Sequence, residues 1–250
     1  MQKKYGLMAK VISSEPLLVL TKDAGFDFIF YDMEHSYYQF ETLHSLMLFG
    51  NVIGLDSFVR ARRGDSGNLS VLLDCGAKGV MLPMVETVEE ASLLASFTKY
   101  PPMGKRSYSS GANTLYRTYK DHQTVMEEAN KEITVIAQIE SQLGVDNASE
   151  IAKVRGIDAL LIGPVDLSIS LGLTDQFTHE KMLESIGLVA DACRSQGKQL
   201  GIIGQRPLIE RYYQDLSLII NSIDTNLIRS AFAHSRSDVE QIGRNMADAK

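Results

Sequence analysis

Residues 27–36 read DFIFYDMEHS. The run Phe28-Ile29-Phe30-Tyr31 is apolar at every position rather than at alternate ones, so the strand it predicts is covered on both faces. Such strands belong to parallel sheets flanked by helices. The run then breaks into Asp32, Glu34 and His35. Either the strand simply ends in solvent, or a site lies where it ends.

Seven more runs of this kind recur: YGLMAKV (5–11), DSFVRA (56–61), GVMLPMV (79–85), ITVIAQIE (133–140), ALLIGP (159–164), QLGIIG (199–204) and LSLIINSI (216–223). Segments with helical spacing separate them. Residues 87–98 set Val88, Ala91, Leu94 and Ala95 on one face, and residues 180–194 do the same with Met182, Leu183, Ile186, Val189, Ala190 and Cys193. Eight strands alternating with helices predict an α/β chain folded as a (β/α)₈ TIM barrel, a single domain over residues 1–250. The rival is a doubly wound open sheet, but no GxGxxG follows the first strand.

Bulk composition excludes other classes. A net charge of −6 and a pI near 5.4 argue against a nucleic-acid partner, which needs a basic face. No apolar stretch reaches the roughly 18–20 residues of a membrane span, so no membrane role is expected. The opening MQKKYGLMAK lacks the apolar core of a signal peptide. The only two cysteines, Cys75 and Cys193, read as reduced thiols, and the expected compartment is cytoplasmic.

Two segments stand apart. Residues 99–119, KYPPMGKRSYSSGANTLYRTY, form the longest irregular stretch; a loop this long is usually functional, and it is expected on the face that carries the chemistry. Residues 224–250 have the length for more than one helix and could reach a neighbouring subunit.

In such a barrel the C-terminal ends of the strands converge on one mouth, where polar residues read as catalytic. Asp32, Glu34 and His35 end the second strand, Arg60 the third, Gln138 and Glu140 the fifth, and Gly163, Pro164 and Asp166 the sixth. Side chains two apart share a face, so Gln138 and Glu140 point together, as would Pro164 and Asp166 if that strand runs so far. Glu140 and Asp166 could then meet at Mg²⁺ or Mn²⁺, or be solvated strand-end acids. Arg60 needs an anion: a substrate carboxylate, or an internal partner such as Asp74 or Asp32. His35 is a candidate general base that Asp32 could orient, or merely a loop cap. His44, His122, His179 and His234 fall in or beside helices and read as structural. Lys78 and Lys198 precede strands, Lys99 and Lys105 lie in the long stretch, and only Lys10 falls inside a predicted strand. Few amines are placed for an imine, which favours a metal.

The ordered set FDFIFYDMEHS, FVRAR, LLDCGAKGVMLPMVET, KYPPMGKRS, AQIES and LIGPVDLSISLG, from about residue 6 to about 230, resembles the class II, metal-dependent pyruvate aldolases of the HpcH/HpaI family. The resemblance implies a (β/α)₈ barrel that cleaves or forms 4-hydroxy-2-oxo acids, such as 2-oxo-3-deoxy sugar acids, yielding pyruvate and an aldehyde. It implies a homo-oligomer, a hexamer that exchanges C-terminal helices between subunits. It implies a divalent ion, Mg²⁺, Mn²⁺ or Co²⁺, held by Glu140 and Asp166 as a Lewis acid for the pyruvate enolate. Gln138 then contacts pyruvate or a water on the ion, and Arg60 holds the carboxylate and keto oxygen. His35 with Asp32 forms an acid–base dyad acting through water. Asp74 matches an aspartate that supports the arginine or a neighbouring subunit's site, and the main chain of Gly163, Pro164 and Val165 lines the pyruvate pocket. The chain departs from the family at Tyr37-Tyr38 and at Ser107, where glycine is usual, and these changes bear on the aldehyde half. Lys105, Arg106 and Arg117 would serve an acidic acceptor or form a solvated basic loop. Two other functions compete: a related enolate-forming lyase or synthase, acting on a hydroxyacyl-CoA or condensing an oxo acid, and a non-catalytic small-molecule sensor.

Overall fold

The computed structural model describes residues 2–248. The chain runs β1 (Lys4–Ala9), α1 (Glu15–Asp23), β2 (Phe28–Asp32), α2 (Phe40–Ile53), β3 (Asp56–Arg60), α3 (Leu69–Asp74), β4 (Gly79–Leu82), α4 (Val88–Thr98) and α5 (His122–Glu132). It continues β5 (Thr134–Ile139), α6 (Gln142–Asp146), α7 (Ala148–Lys153), β6 (Ala159–Ile162), α8 (Pro164–Ser170), α9 (Glu180–Gln196), β7 (Gln199–Ile203), α10 (Arg206–Tyr212), β8 (Leu216–Ile223) and α11 (Asp224–Asp248). The eight strands close in sequence order into a fully parallel barrel. This is the predicted (β/α)₈ TIM barrel.

Period two decides which side chains fill it. Met8, Phe28, Phe30, Phe58, Met81, Ile136, Leu161 and Leu218 form the interior cluster, while their neighbours Ile29, Tyr31, Val59, Val80, Val135 and Leu160 pack outward under the helices. Phe28 and Phe58 stack with centroids 4.7 Å apart. Room for Phe28 comes from Gly6 on β1, where a Cβ would lie 2.1 Å from the ring. Filling the interior this way leaves its two ends for polar groups: Lys4 pairs with Asp56 at 3.2 Å at the strand starts, and the other end is the mouth.

Six strands stop one to three residues before their predicted ends. The trimmed residues include Lys10, Met84, Glu140 and Gly163, where the chain leaves the ladder and turns over the mouth. Asp166 is reached differently from expectation: β6 ends at Ile162, and Pro164 starts α8, so Asp166 stands in that helix's first turn.

Residues 99–119 do not lie at the mouth. Helix α4 intervenes after β4 and carries the chain back to the opposite end of the barrel, where the stretch packs against α5. Lys99 is buried there, its Nζ donating to the carbonyls of Asn130 and Ile133 at 2.9 and 2.6 Å and pairing with Asp158 at 2.8 Å. Arg106 pairs with Asp74 at 2.6 Å at that same end and lines a cavity of about 320 Å³. Residues 224–248 form one helix, not two. Among the described residues no helix is long and apolar enough to cross a membrane.

Candidate active site

The mouth is built around a buried ion pair. Asp32, the last residue of β2, pairs in register with Arg60, the last of β3. Both face inward, following Phe30 and Phe58. Arg60 Nε donates to Asp32 Oδ1 at 3.0 Å and Nη2 to Oδ2 at 2.8 Å, a bidentate fork. Burial alone would raise the Asp32 pKa, but the Arg60 bonds and the Lys10 charge hold it below the usual carboxylate range. Of the two internal partners considered for Arg60, the structure supplies Asp32 and not Asp74.

Asp32 also shapes the loop that follows. Its Oδ1 accepts the backbone N–H groups of Glu34 and His35 at 3.0 and 3.3 Å, an Asx-type turn. Asp32 thus orients the His35 backbone rather than the imidazole. The acid beside the ring is Glu34, whose Oε2 lies 3.6 Å from His35 Nε2 and 3.4 Å from Arg60 Nη1. Burial raises the Glu34 pKa against the pull of Arg60. The imidazole is more than half exposed, at the lip of the mouth.

Across the barrel, Gln138 and Glu140 share the inner face, as parity predicts. Gln138 Nε2 donates to Glu140 Oε1 at 2.6 Å, and the Met84 N–H donates to Oε2 at 3.1 Å. Met84 delivers that N–H from a left-handed backbone at φ 52, an unfavourable region for a non-glycine residue and a kind of strain that clusters at functional sites. Gly163 closes the other side: a Cβ there would fall 2.2 Å from Glu140 Oε1. Glu140 is 3% exposed, and its carboxyl pKa is pushed up to about 7 by burial, opposed by Arg60 and reinforced by Asp166. Asp166 is exposed, close enough for its charge to be felt at both Glu140 and Glu34. Pro164 is buried and Val165 exposed beside it.

These groups suit a hard divalent cation. The donors are oxygens only. Glu140 is a buried carboxylate whose charge Arg60 offsets only in part, and Gln138 Oε1 is buried without a hydrogen-bond partner. Among the described residues no three His, Cys, Asp or Glu side chains cluster as a metal cage.

Residues 12–205 match the family described as HpcH/HpaI aldolase/citrate lyase. The chain belongs to that family. It is 32% identical over 232 residues to the hydroxypyruvate/pyruvate aldolase of Chromohalobacter salexigens, covering 91% of this chain and 90% of that one. It is 35% identical over 185 residues to a 2-dehydro-3,6-dideoxy-6-sulfogluconate aldolase of Pseudomonas putida, covering 74% and 71%. The crystal structure of an HpcH/HpaI aldolase from Desulfitobacterium hafniense superposes with a TM-score of 0.90 at 27% identity, covering 96% and 93%. As a member of this family, the chain is an aldolase, a carbon–carbon lyase acting on oxo acids.

Within one chain the structure gathers Asp32, His35, Arg60, Gln138, Glu140, Gly163, Pro164, Val165 and Asp166 at the mouth. It does not bring Asp74 there: Asp74 ends α3, whose C-terminus points to the opposite end of the barrel. Sequence reading missed two mouth groups, the Met84 N–H and Lys10. No pattern announces a left-handed Met84. Lys10 carried a usable signal, since it lies two residues beyond inward-facing Met8.

Proposed function

We propose that this family member cleaves or forms 4-hydroxy-2-oxo acids, exchanging them with pyruvate and an aldehyde, and that Glu140 and Asp166 hold the divalent ion, Mg²⁺, Mn²⁺ or Co²⁺. The observation that carries this reading is Glu140, a buried, under-compensated carboxylate at the barrel mouth facing Asp166 and flanked by Gln138 and Arg60. Bound there, the cation would supply Lewis-acid charge for an enolate. Arg60 uses Nε and Nη2 on Asp32, and the remaining N–H donors of its five can hold the oxo-acid carboxylate and keto oxygen. That adds fixed positive charge where the enolate oxygen develops. Gln138 reaches the same oxo acid, and the main chain of Gly163, Pro164 and Val165 walls its pocket. His35, exposed at the lip with Glu34 beside it, moves the proton at the C4 hydroxyl through water, on a loop that Asp32 shapes. Hydroxypyruvate, which the Chromohalobacter relative's name carries, shares the 2-oxo carboxylate and is a second donor to test.

We also propose a homo-oligomer, a hexamer, working in the cytoplasm with both cysteines reduced. Helix α11 supports assembly: Phe232, Val239, Ile242 and Met246 are each about 60–70% exposed along it. In such an assembly Asp74, held by Arg106 at the far end of its own barrel, serves a neighbouring mouth.

The test is exchange of the pyruvate methyl hydrogens in D₂O, which requires no knowledge of the aldehyde. We expect exchange with Mg²⁺, Mn²⁺ or Co²⁺, its loss with a chelator, and its abolition in Arg60→Ala. Exchange that survives the chelator, or inactivation by borohydride with substrate present, would replace the metal reading with an imine.

A further inference from the structure

At the mouth a side chain takes over where a strand ladder stops. β1 and β8 pair in register as far as Met8 against Ile223. Beyond that point β1 ends at Ala9, and β8 runs directly into α11 at Asp224. Asp224 Oδ2 accepts the N–H groups of Lys10, Val11 and Ile12 at 3.0, 2.9 and 3.0 Å. Its Oδ1 accepts the Thr225 N–H at 2.7 Å. Three successive N–H groups closing on one oxygen form an anion-binding nest. Asp224 is 2% exposed, so these donors stand in for water around its carboxylate.

The loop held in this way reaches the candidate base. The Tyr38 hydroxyl donates to the Ile12 carbonyl at 2.8 Å. Tyr38 is buried, its ring edge-on to Tyr31 of β2 with centroids 5.5 Å apart. It closes the loop that leaves β2 and carries Glu34 and His35. At the start of that loop Asp32 Oδ1 accepts the N–H groups of Glu34 and His35, and Ser36 Oγ donates to the Asp32 carbonyl. At its far end the hold is Tyr38 on Ile12, and through Ile12 on Asp224. The His35 imidazole is more than half exposed. The course of its loop, rather than packing around the ring, therefore decides where it stands. Tyr38 is also one of the positions at which this chain departs from its family, so the link belongs to this chain.

We infer that Asp224 is a positioning residue: through Ile12 and Tyr38 it fixes the loop that carries His35 over the mouth. This rests on the aldolase reading and deepens it. A shift of that loop slows proton transfer at the C4 hydroxyl and leaves the oxo-acid half, on Arg60, Gln138 and Glu140, in place. Two measurements on the full chain with Mn²⁺ separate these halves: pyruvate addition to an aldehyde, and exchange of the pyruvate methyl hydrogens in D₂O. In the addition, the pyruvate methyl carbon loses a proton and bonds to the aldehyde carbon, whose oxygen gains a proton. The acceptor is the best of glycolaldehyde, D-glyceraldehyde and glyoxylate. Asp224→Ala should lower kcat for addition about tenfold, with KM for pyruvate and the exchange rate within about twofold of wild type. Asp224→Asn keeps one acceptor oxygen and should recover most of kcat. Tyr38→Phe removes only the hydroxyl link; it should lower kcat for addition and add no further loss to Asp224→Ala, because the two act in one chain of contacts. Should Asp224→Ala fail to fold, Tyr38→Phe makes the same comparison of addition with exchange. Equal loss of addition and exchange would mark a merely structural role and overturn the inference. An unchanged kcat in Tyr38→Phe, or losses that multiply in the double variant, would overturn it too. So would a wild-type enzyme that exchanges the hydrogens but adds none of the three aldehydes, since Asp224 would then have no such step to serve. Failure of the aldolase reading looks different: the wild-type enzyme would neither exchange the pyruvate hydrogens nor add an aldehyde.

Discussion

Glu140 shows how one side chain records its surroundings. Burial makes its charge costly, Asp166 adds repulsion, and Arg60 compensates only in part, so its carboxyl titrates at about 7 rather than in the usual carboxylate range. The sign follows. In the metal-free protein this raised pKa favours the folded state below the ordinary carboxylate range, and that contribution is lost as pH rises toward about 7. A divalent ion needs the ionised carboxylate, so protons compete with it. Thermal melts with and without Mn²⁺ should therefore show a larger metal-induced rise in Tm at pH 8 than at pH 5.5, and Glu140→Gln should remove the difference. An equal rise at both pH values would separate Glu140 from the ion. The residue types of the mouth were legible from Asp32 to Asp166. Their partners were not: Arg60 could have faced Asp74 or substrate, and the His35 ring could have faced Asp32. Only the register of β2 against β3 and the turn after Asp32 assign these pairs.

At the scale of elements, α4 is the clearest case of local sequence acting locally. Thr87 Oγ1 accepts the Glu90 N–H at 3.2 Å, and the Glu90 carboxylate accepts the Thr87 N–H at 3.1 Å, a capping box readable as T-x-x-E. Thr87→Ala should cost about 1 kcal/mol in urea unfolding, with the slope of the transition unchanged. The same helix explains why the 99–119 stretch sits away from the mouth. Its 11 residues span about 16 Å, enough to return the chain along the barrel wall to the other end. The composition of that stretch announced an irregular loop, but the side of the barrel it occupies follows from helix direction. Asp166 gives a similar lesson, because Pro164 begins a helix where strand parity would have continued the ladder.

For the whole molecule, the proposed assembly is tested at α11. Residues 232, 239, 242 and 246 follow one another at spacings of seven, three and four, so their side chains share one stripe of a 25-residue helix, and all four are exposed. Phe232→Glu combined with Ile242→Glu should leave the barrel folded by circular dichroism. The mass measured by light scattering should fall to a smaller assembly. An unchanged mass would show that α11 does not carry the interface.

The eight apolar runs and their polar ends determined by themselves that the chain closes as a parallel barrel with acids, an arginine and a histidine at one end. Burial on both faces and strict alternation with helices are properties of local composition. Tertiary structure alone decided that Arg60 serves Asp32, that Met84 and Gly163 shape the pocket of Glu140, and that Asp74 lies at the opposite end. Each of these depends on register, on backbone direction past a strand's end, or on which way a helix runs, and none of those is encoded within a short window of sequence.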